Sequence, residues 1–83
     1  MVSSPKDMVR NKRRVMNFMR VHEFPEWQIY LTPPDIRARY GITNVTLLKW
    51  AENPAFPASV PGHTIKRWRL SDMIKWENEV FDL

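Results

Sequence analysis

Eighty-three residues make one small domain with a thin core. The absence of cysteine excludes a disulfide framework and a thiolate metal site and suits a reducing cytoplasm, and no apolar run approaches the ~18–20 residues of a membrane span. The net charge of +4 is unevenly placed: residues 1–22 carry six Lys/Arg against one Asp, residues 30–70 six against two acids, and residues 71–83 one against four. A basic body with an acidic tail points to a polyanionic partner or, more plainly, to a solvated surface.

Ser4-Pro5-Lys6-Asp7 reads as a helix start, with Ser as the cap, Pro first and Asp closing the box. The helix is expected to run to about His22, free of Gly and Pro after Pro5. Met8, Val15, Met16 and Met19 fall on one side, and Arg10, Lys12, Arg13, Arg14 and Arg20 crowd elsewhere. This is either an extra helix packed on the domain with a solvated basic face, or a phosphate-contacting arm carried by Arg10, Lys12, Arg13 and Arg14, or an oligomerisation helix. The chain is accordingly divided into residues 1–24, a basic N-terminal helix or arm, and residues 25–83. The N-terminus is basic without an apolar stretch behind it, so it is not expected to be a secretory signal. Residues 23–28 form a connector in which Pro25 stops the helix and Trp27 covers the edge of the core. Residues 29–31 are short and apolar, and a brief strand is expected there.

Residues 32–50 organise the rest. Thr32 is a good N-cap, whose hydroxyl can accept from the Asp35 backbone N–H while Asp35 answers back, and Pro33 fits the first helical position. Gly41 ends this helix, because a left-handed residue costs glycine almost nothing. Thr43 caps a second helix. Ile36 and Tyr40 give the first helix an apolar stripe, Leu47 and Trp50 give the second a matching one, and Ile42 plugs the turn. Two helices with facing stripes and a glycine turn form a helix-turn-helix. In such a motif the first helix crosses the DNA backbone, which makes Arg37 and Arg39 candidate phosphate contacts, with solubility as the plain alternative. At ~100° per residue, Val45 and Lys49 point away from the core, with Thr46 and Leu48 on the flanks. Thr43 and Asn44 lie at the N-terminal tip. Asn can pair with adenine, Thr or Val can touch the thymine methyl, and Lys can donate to guanine. Capping alone explains Thr43.

Asn53-Pro54 ends the second helix. Residues 56–60 and 65–69 read as the two arms of a hairpin, a wing, turned at Pro61-Gly62-His63-Thr64. Lys66, Arg67 and Arg69 place three cations on one arm. Trp68 is taken as inward and the arginines as outward, which leaves Ile65 in an awkward position. Ser71 caps a last helix with Met73, Trp76 and Val80 inward and Ile74 and Phe81 beside them. Glu77, Glu79 and Asp82 make it acidic, so it is expected to face away from DNA.

Ile36, Tyr40-Gly41-Ile42, Leu47 and Trp50, followed by Phe56-Pro57, Arg67-Trp68-Arg69-Leu70-Ser71-Asp72 and Trp76, resemble the AlpA-type and excisionase-like family of phage and mobile-element proteins. The resemblance covers residues 31–76. It implies a MerR-like winged helix-turn-helix: mainly α, with a small β-hairpin wing, to which this chain adds the N-terminal helix. It implies sequence-specific binding of double-stranded DNA, either as an excisionase that directs an integrase towards excision or as a small transcriptional regulator. The partners expected are duplex DNA and, beside it, an integrase or another copy of the chain on DNA. Thr43, Asn44, Val45, Thr46 and Lys49 are the candidate readers, Arg37 and Arg39 the backbone contacts, and His63, Thr64, Lys66, Arg67 and Arg69 the wing contacts.

Two alternatives stand beside this reading. One is the DNA-recognition component of a phage packaging terminase. The other is a protein-interaction module that has kept the fold, using the acidic last helix and the Met-rich first one as contact surfaces. No enzyme is expected: there is no glycine-rich phosphate loop, no H-E-x-x-H and no G-x-S-x-G, and Asp35 is better explained as a cap than as a base. His22 and His63 match no metal-ligand spacing, and no metal or cofactor is expected.

Overall fold

The computed structural model describes residues 8–21, 28–62 and 64–81. The proposed Ser4 cap, the connector with Pro25 and Trp27, His63 and Asp82 lie outside the described residues. The described residues form four helices and a two-stranded antiparallel sheet, in the order α1 (Lys12–Val21), β1 (Tyr30–Leu31), α2 (Pro33–Tyr40), α3 (Asn44–Glu52), β2 (Trp68–Arg69) and α4 (Leu70–Phe81).

α1 begins later than its sequence pattern predicts. Residues 8–11 form a turn, and the Asn11 carbonyl accepts from the Val15 N–H at 3.0 Å. Asparagine favours that boundary position, so the helix starts after it. The Met-rich stripe is nonetheless oriented as expected. Val15 is buried, and Met8, Met16 and Met19 pack against the core, which also includes Val9. The N-terminal segment therefore shares one core with α2 to α4.

α2 and α3 are built as their caps require. The Asp35 carboxylate accepts from the Thr32 backbone N–H at 2.9 Å and from its hydroxyl at 2.8 Å, with Pro33 and Pro34 in the first turn. Gly41 takes φ 64°, and the Ile42 N–H reaches back to the Arg37 carbonyl at 3.1 Å. A side chain at Gly41 is doubly excluded: a Cβ there would lie 2.7 Å from the Phe18 ring of α1. Phe18 thus caps the turn between the two helices from outside. Ile36, Tyr40, Leu47 and Trp50 are buried as the facing stripes require.

The core is aromatic. The Trp76 ring lies 5.6 Å from Tyr40, 5.5 Å from Trp50, 5.1 Å from Phe56 and 5.9 Å from Phe81, centroid to centroid. Most of these pairs are edge-on, which suits the ring quadrupole. Its indole N–H points at the Met8 sulfur at 3.2 Å, tying the N-terminal turn to α4. Large rings let a short chain bury much area with few residues.

The sheet departs from the expected hairpin. β2 pairs with β1, Tyr30 opposite Arg69 and Leu31 opposite Trp68, and the Leu70 N–H continues the ladder to the Ile29 carbonyl at 2.9 Å. Residues 57–60 form no strand. They meet the other arm through the Val60 N–H and the Arg67 carbonyl at 2.7 Å. Two causes are visible. Pro57 has no N–H to give to a ladder, and its carbonyl is taken by the Trp68 indole N–H at 3.0 Å. α4 also differs slightly: it runs straight out of β2 from Leu70, so Ser71 lies in the first turn and not at the cap. Met73, Trp76 and Val80 face inward as expected, with Phe81 buried beside them. Among the described residues no helix is long and apolar enough to cross a membrane.

Candidate nucleic-acid interface

α3 is held by its inner face and free on its outer one. Leu47 and Trp50 are buried, while Asn44, Val45, Leu48 and Lys49 are exposed and Thr46 is half-exposed. The Thr43 hydroxyl accepts from the Thr46 N–H at 3.3 Å and donates to the Thr46 hydroxyl at 3.2 Å. That cap leaves the neighbouring first-turn N–H groups aimed outward at the positive end of the helix dipole, an arrangement that favours anions. At the other end the Asn53 side chain accepts from the Ala55 N–H at 2.9 Å and turns the chain away. The readers expected from sequence therefore share one accessible face. Leu48 belongs to it as well, although helical spacing alone puts it on a flank.

Arg37 and Arg39 separate. Arg37 is half-exposed. Arg39, expected to meet phosphate, instead crosses to α4. Its NH2 lies 3.1 Å and 3.2 Å from the two oxygens of Glu77, and its Nε is 3.4 Å from one of them. Glu77, counted from sequence among the acids that turn the last helix away from DNA, is buried. Deep burial of a carboxylate needs a partner, and Arg39 offers the planar fork that fits one. Burial works against the Arg39 charge, but the Glu77 carboxylate and, after it, Tyr40 together outweigh burial and hold the guanidinium above its ordinary value. Burial also pushes the Glu77 carboxyl above its usual range, and Arg39 only partly offsets this. The two directions assign opposite signs to the pair. Glu77 is the deeper side chain, 4 % exposed against 14 %, so it carries most of the desolvation. The Tyr40 hydroxyl is buried nearby without a hydrogen bond of ordinary geometry. Burial first, then the Glu77 charge, pushes it well above the usual phenol range. Arg39 opens onto a groove of about 350 Å³ lined also by Met16, Met19 and Arg20 of α1 and by Ile74 and Asn78 of α4.

Thr64, Lys66 and Arg69 are exposed around the loop that follows α3, and Pro61-Gly62 turns it, with Gly62 at φ 88°. Arg67 is half-buried, and its Nε lacks a hydrogen-bond partner among the described residues, so the outward placement expected for it holds only in part. Ile65 is exposed. In α1 and the turn before it, Arg10, Arg13 and Arg14 are exposed and Lys12 is half-exposed, and all four line one shallow depression with Val9, Asn11 and Asn17. No cluster of acidic and histidine side chains able to hold a metal ion occurs among the described residues.

Comparison with protein-family models, with curated proteins and with solved structures finds no match for this chain.

Proposed function

We propose that the chain is a winged helix-turn-helix protein that binds double-stranded DNA sequence-specifically, with α3 in the major groove. The observation that carries this reading is the outer face of α3. Asn44, Val45, Thr46 and Lys49 stand clear of the core on a helix that Leu47 and Trp50 fix from behind. Amide, methyl and ammonium groups on one rigid element are the chemistry that base edges require. Arg37, Lys66, Arg69 and the solvent-facing part of Arg67 supply backbone contacts, and the cations of α1 and its preceding turn form an added arm. The loop between residues 60 and 67 serves as the wing although it is not paired as a ladder. Duplex-directed work of the excisionase or small-regulator kind accords with the resemblance of residues 31–76 to excisionase-like proteins; an integrase or a second copy bound alongside would be the protein partner.

The test is titration of a labelled duplex by fluorescence anisotropy at 50 and 200 mM salt. Six phosphate contacts would lower affinity roughly 10³-fold across that range through counterion release. Arg69→Ala should weaken specific and scrambled duplexes alike and make the salt slope shallower. A flat salt response removes the DNA-binding reading.

A further inference from the structure

We propose that Val45 and Leu48 of α3 form a methyl reader, contacting the 5-methyl groups of thymines at neighbouring positions of the DNA site. The inference rests on the DNA-binding reading above and assigns part of its sequence preference. Val45 is 62 % exposed and Leu48 52 %. They stand at i and i+3, so their side chains lie side by side on the outer face. The fold does not need them there, since Leu47 and Trp50 already anchor the helix. The surroundings select the occupant. Lys49 is exposed beside Leu48 in the last turn, and the Thr43-capped N-terminus places positive potential beside Val45 in the first, so positive charge flanks the pair on both sides. A polyanion fits that setting, and an apolar protein face does not. A pair of aliphatic side chains also falls far short of the ~800 Å² per partner of a stable protein interface.

Within the major groove of a polyanionic duplex the apolar feature on a base edge is the thymine C5-methyl. Side chains ~5–6 Å apart span one to two steps of ~3.4 Å along a strand. The pair therefore addresses thymines that are adjacent or next but one. Glu52 continues the same stripe one turn beyond Leu48 and is exposed. Its charge opposes phosphate, so the helix meets the groove along the stretch from its N-terminus to Lys49, within which Val45 and Leu48 lie.

The experiment starts from a duplex selected out of a randomised pool. Each thymine of the selected site is replaced singly by uracil, which removes the methyl and leaves every hydrogen-bonding group. Two positions should each lose about fourfold in affinity, the worth of one buried methyl group. Val45→Ala should abolish the uracil effect at one position and Leu48→Ala at the other. Selected-site binding that ignores every uracil substitution overturns this inference and leaves the DNA reading standing. Failure to bind any duplex overturns both. Sedimentation should show no self-association that Val45→Ala or Leu48→Ala relieves; a dimer lost in either variant makes this face a protein interface and overturns the inference as well.

Discussion

Replacing Arg39 by alanine separates a structural cation from a phosphate contact. In the native chain the Glu77 carboxylate has a bidentate partner and is 4 % exposed. Arg39→Ala leaves that carboxylate buried with its charge uncompensated, beside a Tyr40 hydroxyl that has no hydrogen bond of ordinary geometry. Breaking a buried pair from one side costs ~3–5 kcal/mol. Because the Arg39 side chain is 14 % exposed, water can enter its place, and the lower end, about 3 kcal/mol, is expected. A domain of this length has a total stability of roughly 4–12 kcal/mol, so the loss is a large share of it. The melting temperature should fall by roughly 15 °C. Urea and thermal unfolding followed by tryptophan fluorescence give the number. The paired change Arg39→Met with Glu77→Leu should return stability to within ~1 kcal/mol of the native chain, since no charge is then stranded. Measured well below its melting point, Arg39→Ala should keep the native salt slope for duplex binding. A stability loss under ~1 kcal/mol together with a shallower salt slope would refute the reasoning and return Arg39 to the DNA backbone.

Three further outcomes follow from the same core. Burial raises the Glu77 carboxyl above its ordinary value, so its stabilising protonated form is fully present below about pH 4.5 and the contribution is lost as pH rises through the raised value; the stability difference between the native chain and Glu77→Gln should accordingly shrink from pH 4 upward, and a difference that widens over that range would reverse the sign assigned to the carboxylate. Gly41→Ala should cost about 1–2 kcal/mol from the left-handed backbone alone, with a further loss from the Phe18 ring; adding Phe18→Ala should remove the coupling between the two sites in a double-mutant cycle, and strictly additive losses would show that the ring yields freely. Trp76→Ala, at the centre of the ring cluster, should destabilise by roughly 3–5 kcal/mol, and chemical unfolding that shows less than half of that would mean the cluster is not the main core.

Periodicity made much of this fold legible. Ile36 with Tyr40, Leu47 with Trp50, and Met73 with Trp76 and Val80 announce their inward faces through helical spacing, and Thr32, Gly41 and Thr43 mark the ends of α2 and the start of α3 through local backbone chemistry. What spacing does not carry is pairing across distance. Glu77 sits in an acidic helix and looks solvated, because its cation lies 38 residues upstream and no local pattern links them. The strand partners were obscured for the same reason: turn residues at Pro61-Gly62 favour a local hairpin, whereas β2 found β1 far back in the chain. Leu48 was hidden by a smaller effect. Ideal spacing ranks a residue by angle, and actual exposure depends on how far the neighbouring elements reach.

The clasp between Leu31 and Trp68 has a consequence for how the molecule assembles and yields. Four paired residues cannot hold a sheet alone in water, and closing the long chain segment between them carries an entropic cost before any contact repays it. The clasp therefore forms only when the rings of Phe56, Trp68 and Trp76 have packed, and it opens when they loosen. Thus the bond between the Val60 N–H and the Arg67 carbonyl, next to Trp68, depends on the core, and a destabilising change buried near Tyr40 will reach it without any direct contact. Amide hydrogen exchange at Leu31 and Trp68 should then follow global unfolding.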